Sequence, residues 1–145
     1  ISGLAKGCDS QAHKASFEGL GVTVAVLPAG INKNYYLYNL ELFKNIIEKK
    51  GCLLSEYSFN EAPEKYKYIE RNRLQAGLSK SLILIESSIS GGSMTTVKFA
   101  QEQNKKVFVF KKENFGNEDL GNKKILDESN ACAFKNIEDL TKFIN

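Results

Sequence analysis

Four short runs, VTVAVL (22–27), CLLSEY (52–57), SLILIE (81–86) and KVFVF (106–110), set the limits on how this chain can fold. Each is nearly continuous in apolar residues instead of alternating them with polar ones, which is the pattern of a strand covered on both faces. Stretches of helical character lie between them, at 9–18, 39–50, 64–79 and 93–104. A shorter helix at 121–128, a strand at 131–134 and a last helix at 137–144 complete the series. Strands that alternate with helices build right-handed βαβ units. The expected fold is therefore α/β: a doubly wound, mostly parallel sheet with helices on both faces. Asp9 and Ser93 are the expected N-caps, and Gly19 and Gly51 the expected helix stops. The opening Ile1-Ser2-Gly3 reads as the end of a strand and its turn, and 111–121 as a polar surface loop.

A length of 145 residues suits a single domain over 1–145, and no internal repeat divides it. The longest apolar runs are far too short to cross a bilayer, so no membrane association is expected. A net charge of +3 permits a polyanionic partner without requiring one. Cys8, Cys52 and Cys132 are odd in number, widely spaced and without a CxxC pair. With one histidine in the chain, they read as buried free thiols of a reducing, cytoplasmic protein, with no metal site and no cofactor. That histidine, His13, has no cysteine or carboxylate at catalytic spacing and reads as a packed or surface residue. The chain opens on ISGLAKG without an initiator methionine, which reads as a fragment whose natural start lies upstream.

In open α/β sheets ligands sit beyond the carboxyl ends of the strands, which directs attention to the loops there. SISGGSMTT pairs Gly91-Gly92 with the start of a helix carrying Ser93, Thr95 and Thr96, an arrangement that suits an anion or simply a well-capped helix. It is neither a Walker A loop nor a GxGxxG fingerprint. In SGLAKGCD, Gly3 and Gly7 bracket a turn from which Lys6 projects, towards a phosphate or towards solvent. PAGINKNYYLYN offers Gly30, Lys33, Asn34 and the tyrosines 35, 36 and 38. Interleaved cations and aromatics suit single-stranded nucleic acid, with bases stacking and phosphates paired. Tyrosines in such a loop serve equally as packing anchors.

Both arginines of the chain lie in one helix, in ERNRLQAGLSK (70–80), whereas the other eighteen basic residues are lysines. With Leu74 and Leu78 defining the buried stripe, Arg71 and Arg73 stand about 160° apart on the helix, so they cannot form one clamp. Divided labour is expected: one arginine facing the cleft, the other bound to a carboxylate such as Glu56 or Glu86. Asn72 is expected to point away from the leucines. A structural role for both arginines is the competing reading.

SGLAKGCD, LLSEY, RNRLQAGLS, SGGSMTT and FAQEQNKKVFVF, in this order, resemble the DprA (Smf) family of bacterial DNA-processing proteins, part of the wider group of LOG-like Rossmann folds. The resemblance covers essentially the whole chain. It implies an extended Rossmann-like domain that binds and protects single-stranded DNA, helps load RecA during natural transformation, works as a homodimer and has no enzymatic turnover. Carried over motif by motif, the implied DNA contacts are Ser2, Gly3 and Lys6; Arg71, Asn72 and Arg73; and Gly92, Ser93 and Thr95. Gly30, Lys33 and Tyr35 join them as candidates from the residue reading above.

The chain departs from the family pattern at PAG in place of a GxG-like turn, at Tyr35-Tyr36 in place of Tyr-Pro, at Cys8 and at Asn130. The strand upstream of Ile1, which in the family carries a glycine–serine–arginine DNA-contacting motif, is missing from this sequence, so the chain reads as lacking it, with DNA affinity and the sheet edge expected to suffer. Two other readings stand beside the first. One is a LOG-like phosphoribohydrolase, for which SGGSMTTVK lacks the family's glutamate and only Glu56 or Glu86 is at hand. The other is a nucleotide-sensing domain of a longer protein. A dimer contact is expected within 125–134.

Overall fold

The computed structural model describes residues 1–19 and 21–144, the last without its side chain. The chain divides into two compact units, 1–75 and 76–145, each built on its own parallel sheet.

The first unit holds α1 (Cys8–Glu18), β1 (Val24–Val26), a 3-10 segment (Lys33–Asn39), α2 (Leu40–Glu48), β2 (Cys52–Leu54) and α3 (Lys65–Leu78) as far as Gln75. β1 and β2 pair in parallel, Val24 opposite Cys52 and Val26 opposite Leu54. Ser2 forms a parallel bridge to Ala25. Its N–H donates to Val24 O at 3.0 Å and its carbonyl accepts from Val26 N at 2.9 Å. Ile1-Ser2-Gly3 is thus a strand end and its turn, as its sequence implies. Leu4, Ala25, Leu27, Ala29, Tyr36, Leu42, Phe43 and Ile46 form the core, with Tyr36 stacked on Phe43 at 5.2 Å. Leu42 and Ile46 lie one helical turn apart, which is why α2 buries this face. α2 stops where Lys50 takes φ 61 and Gly51 N donates to Ile46 O at 2.7 Å. A Cβ on Gly51 would lie 2.7 Å from Thr23 O, so close approach of the backbone selects glycine there.

The second unit continues with β3 (Ser81–Leu84), α4 (Gly92–Glu102), β4 (Lys106–Phe110), a 3-10 turn (Asn117–Asp119), α5 (Leu120–Glu128), β5 (Cys132–Phe134) and α6 (Ile137–Ile144). The strands are parallel in the order β3-β4-β5. β4 shows why its sequence is apolar throughout. Val107 and Val109 join Val97 and Ala100 of α4 and Ile125 of α5, whereas Phe108 joins Phe134 and Leu140 of α6. Helices therefore cover both faces of this sheet, and the strand–helix alternation in the sequence is realised element by element.

Several local expectations are corrected. The N-caps of α1 and α4 are Gly7 and Gly91, not Asp9 and Ser93. The thiols are free but not buried: Cys8 and Cys52 are exposed and Cys132 half-buried, because the first two begin elements at the surface. On α3 the buried positions are Lys67, Arg71, Asn72 and Ala76, while Leu78 is 51% exposed. Polar side chains can occupy that face because backbone and carboxylate groups satisfy their heads. The segment 111–116 is irregular and largely exposed, as expected of a surface loop, but 117–119 form a 3-10 turn and α5 begins at Leu120, with Asp119 and Gly121 buried. His13 is packed and fully buried.

Candidate nucleic-acid interface

The turn that follows the Ser2 bridge is held by an unusual density of side-chain bonds to backbone. Leu4 sits at φ 61, a left-handed conformation that costs a branched residue energy and persists only when its surroundings enforce it. Burial of its side chain is one such constraint. The Asp9 carboxylate is another: it accepts from Ser2 Oγ at 2.5 Å, Gly3 N at 3.0 Å and Ala5 N at 3.2 Å. Asp9 therefore ties the turn down instead of capping α1. That leaves the cap to Gly7, whose φ of 88 favours glycine. Lys6, between Ala5 and Gly7, is exposed.

Arg71 reaches the same turn. Its Nη1 donates to Gly3 O at 2.9 Å and to Val26 O, and its Nε to Asn72 Oδ1 at 3.2 Å. It is 6% exposed, and burial pulls its pKa down against the opposing charge of Asp9. A Cβ on Gly3 would lie 2.5 Å from Arg71 Nη1, so the glycine is what admits the guanidinium. Asn72, expected to point away from the packed face, is buried beside it.

Arg73 is exposed, and its Nη2 donates to both oxygens of Glu56 at 2.8 and 2.6 Å, which raises its pKa. Arg73 thus takes one of the two expected carboxylate partners, but the arginine expected to face the cleft is instead buried against backbone carbonyls, because Gly3 O and Val26 O satisfy its guanidinium. Ser2, Gly3, Arg71 and Asn72 are brought together; Arg73 is directed elsewhere.

Three features escaped the sequence reading. Tyr68 lies with its ring 5.9 Å from Arg71 Cζ and is 42% exposed, leaving an aromatic surface beside the turn. Lys67 is 1% exposed, its Nζ bound to Ala62 O at 2.8 Å, Glu61 at 2.8 Å and Glu64 at 3.2 Å, with the Tyr57 ring 4.9 Å away. The Glu61 carboxylate is the main cause of its raised pKa. A glutamate three residues before Lys67 was the available signal, but such spacing usually marks a solvated pair. The third is the role of Asp9.

The loop after β1 is anchored by packing. A Cβ on Gly30 would lie 2.0 Å from Ser58 O and 2.2 Å from Phe59 O, and Gly30 N donates to Glu61 O at 2.9 Å. Tyr36 is buried and bonds the carbonyls of Ala29 and Gly30, each at 3.2 Å. Tyr35 is half-buried against the core, with its hydroxyl on Asn60 O at 2.6 Å. Lys33 and Tyr38 are exposed.

In the second unit Gly92 and Ser93 are exposed in the first turn of α4, and Thr95 is half-buried. The preceding loop is held by Asn122, 1% exposed, which accepts from Ser87 N at 2.9 Å and donates to Ile85 O at 2.8 Å and Phe110 O at 3.0 Å. Glu86 is paired with Lys112 at 2.9 Å, and Lys112 also meets Asp119 at 2.7 Å. Both carboxylates weighed for acid–base work, Glu56 and Glu86, are thus engaged by cations. Among the described residues no group of three or more His, Cys, Asp or Glu is placed to hold a metal. No described helix is long and apolar enough to cross a membrane.

A model of the DNA recombination-mediator protein A family matches residues 1–145. The chain belongs to this family. Protein Smf of Escherichia coli is 38% identical to this family member over 107 residues, which are 74% of this chain and 29% of that protein. DNA processing protein DprA of Streptococcus pneumoniae is 38% identical over 108 residues, 74% of this chain and 38% of that protein. The chain thus spans well under half the length of these relatives.

Among solved structures, the X-ray structure of DNA processing protein A from Streptococcus pneumoniae superposes with a TM-score of 0.86 at 32% identity, over 97% of this chain and 49% of that one. That of DNA processing protein A from Helicobacter pylori, described for its unique single-stranded DNA binding mode, gives 0.85 at 28% identity, over 99% and 64%. The fold of this recombination-mediator family member is accordingly Rossmann-like α/β.

Proposed function

We propose that the chain binds and protects single-stranded DNA in the cytoplasm and helps load RecA during natural transformation, as a homodimer in which residues 1–145 act as one DNA-binding domain. No enzymatic turnover belongs to this reading. The observation that carries it is the extensive likeness to the Helicobacter pylori protein described for its single-stranded DNA binding mode. The geometry adds a rigid turn presenting the exposed Lys6, with the exposed Tyr68 ring close by on α3.

Of the candidate contacts, Lys6, Lys33, Arg73, Gly92 and Ser93 stand at the surface, and Ser2, Tyr35 and Thr95 are half-buried. Gly3, Gly30, Arg71 and Asn72 are buried, and for them a supporting part in the site fits better than direct contact. Contacts of this kind are chiefly to phosphate, with stacking on exposed aromatics, so affinity falls with salt and varies little with sequence. Fluorescence anisotropy with an oligothymidylate of about thirty nucleotides, a length that spans several binding sites, tests the reading. Tight, salt-dependent binding of the oligomer is expected. Equal affinity for a mononucleotide would refute it.

A further inference from the structure

In the turn beneath Lys6, each carbonyl from Ser2 to Ala5 has a donor. Ser2 O accepts from Val26 N at 2.9 Å, Gly3 O from Arg71 Nη1 at 2.9 Å, Leu4 O from Asn39 Nδ2 at 3.0 Å and Ala5 O from Ser10 Oγ at 2.5 Å. The N–H groups of Gly3 and Ala5 both donate to Asp9 Oδ2, and Asn39 Nδ2 also donates to Ser10 Oγ at 2.9 Å. The left-handed Leu4 lies in the middle of this frame. The residue after Ala5 is Lys6, with its side chain in solvent.

We infer that Asp9 and Asn39 are positioning residues of the DNA site, fixing the backbone from which Lys6 meets phosphate, so that an acidic side chain strengthens binding of a polyanion. The inference rests on the proposed DNA-binding role of Lys6. Its sign separates it from simple electrostatics. Replacing Asp9 by Asn raises the net charge from +3 by one, which on charge alone favours DNA. The substitution also puts an amide NH₂ where Asp9 now offers only acceptor oxygens to Ser2 Oγ, Gly3 N and Ala5 N. The amide oxygen can still accept from Gly3 N and Ala5 N with its NH₂ turned to the Ser2 hydroxyl, but these bonds lose the charge assistance of the carboxylate and hold the turn less tightly.

The test is a double-mutant cycle on the protein as it stands, read by anisotropy with fluorescein-labelled oligothymidylate at two salt concentrations, with thermal melts alongside. Lys6→Ala is expected to weaken binding about tenfold and to reduce the salt slope by about 0.7, the value of one single-strand phosphate contact. Asp9→Asn is expected to weaken binding about fivefold where Lys6 is present and less than about twofold in the Lys6→Ala background, the coupling of residues that act through one another.

Tighter or unchanged binding by Asp9→Asn overturns the inference, as does an equal loss with and without Lys6. If Lys6→Ala binds like the parent, the inference fails while single-stranded DNA binding stands. If the parent does not bind, both fall. Should Asp9→Asn lose its cooperative melt, Asn39→Ala, which frees only Leu4 O and Ser10 Oγ, carries the same cycle with the same expected pattern.

Discussion

In the first unit the turn from Ser2 to Gly7 is tied by side chains from α1, the 3-10 segment and α3, and two of these, Asp9 and Arg71, carry charge. In the second unit the loop leaving β3 is tied by the neutral amide of Asn122, which bonds Ile85, Ser87 and Phe110, beside the backbone bond from Gly121 N to Ser87 O. Both solutions answer the same demand. A loop at the carboxyl end of a parallel strand has no ladder partner, and its buried backbone groups must find side chains. The difference lies in how each tie responds to its surroundings. A neutral amide keeps its donors and acceptors at any ordinary pH, whereas a charged tie brings a desolvation cost that substitution or a change of charge can expose.

The largest effect expected from this contrast is at Arg71. Arg71→Ala leaves the carbonyls of Gly3 and Val26 without their donor, and charge-assisted bonds of this kind are worth about 1.5–3 kcal/mol each, so a loss of about 4 kcal/mol is expected. Urea denaturation measures it. Arg71→Lys, with one ammonium for a planar fork, should recover only part. A loss below about 1 kcal/mol would mean the guanidinium is not the tie its geometry makes it.

Asn122→Ala comes next. It strands one buried N–H and two carbonyls, at about 1 kcal/mol each on average, so about 3 kcal/mol is expected with little dependence on pH between 5 and 8. A pH-dependent loss of similar size would erase the distinction between the neutral and the charged tie.

How far this contrast could be read from the amino-acid order follows from the kind of signal involved. Apolar runs such as KVFVF announce their strands because burial on both faces leaves a mark on every residue. The separation of Arg71 from Arg73 was legible too, since helical geometry alone sets it, and Glu56 was one of two partners anticipated. Asp9 was misplaced as a cap because spacing along a chain cannot show a carboxylate turning back onto residues that precede it. The buried face of α3 was misread for a related reason: Leu74 and Leu78 looked apolar enough to define it, while the acceptors that let Lys67 and Arg71 go inside lie in other segments. Asn122 gave no signal at all, being one of many asparagines in a chain rich in them.

His13 sharpens the contrast through pH. Its Nδ1 lies 2.6 Å from Thr23 Oγ1, and Nε2 is buried without a partner, so α1 meets the β1 approach through a neutral imidazole. Burial is the main cause that lowers its pKa to about 4, opposed by the Asp9 carboxylate. With the folded value below the unfolded 6.5, the unfolded chain binds the proton first. The stabilisation is complete above pH 6.5 and drains away as pH falls toward 4. A loss on the order of 1–2 kcal/mol is expected between pH 7 and 5, and His13→Gln should flatten that part of the profile. Amide exchange should quicken in β1 before it does in β4 over this range, since the ties of Asn122 do not titrate there. Equal quickening in both strands would show that the acid response is global.

The smallest expected effect is the one the two arginines make most instructive. Arg73 and Glu56 form a short ion pair, 2.6 Å at its closest, yet the two side chains are 46% and 42% exposed. Water screens such pairs, and ordering two long side chains offsets much of the attraction, so Arg73→Ala should cost less than about 1 kcal/mol and shrink further at high salt. In DNA binding the order of the two should change. An exposed guanidinium that can exchange a carboxylate for a phosphate lowers the salt slope by about 0.7 when removed, whereas Arg71→Lys, if it folds, should weaken binding with a smaller change in slope. Anisotropy titrations at three salt concentrations give both slopes. A parental slope for Arg73→Ala would leave it a surface ion pair and shift the proposed contact to the lysines.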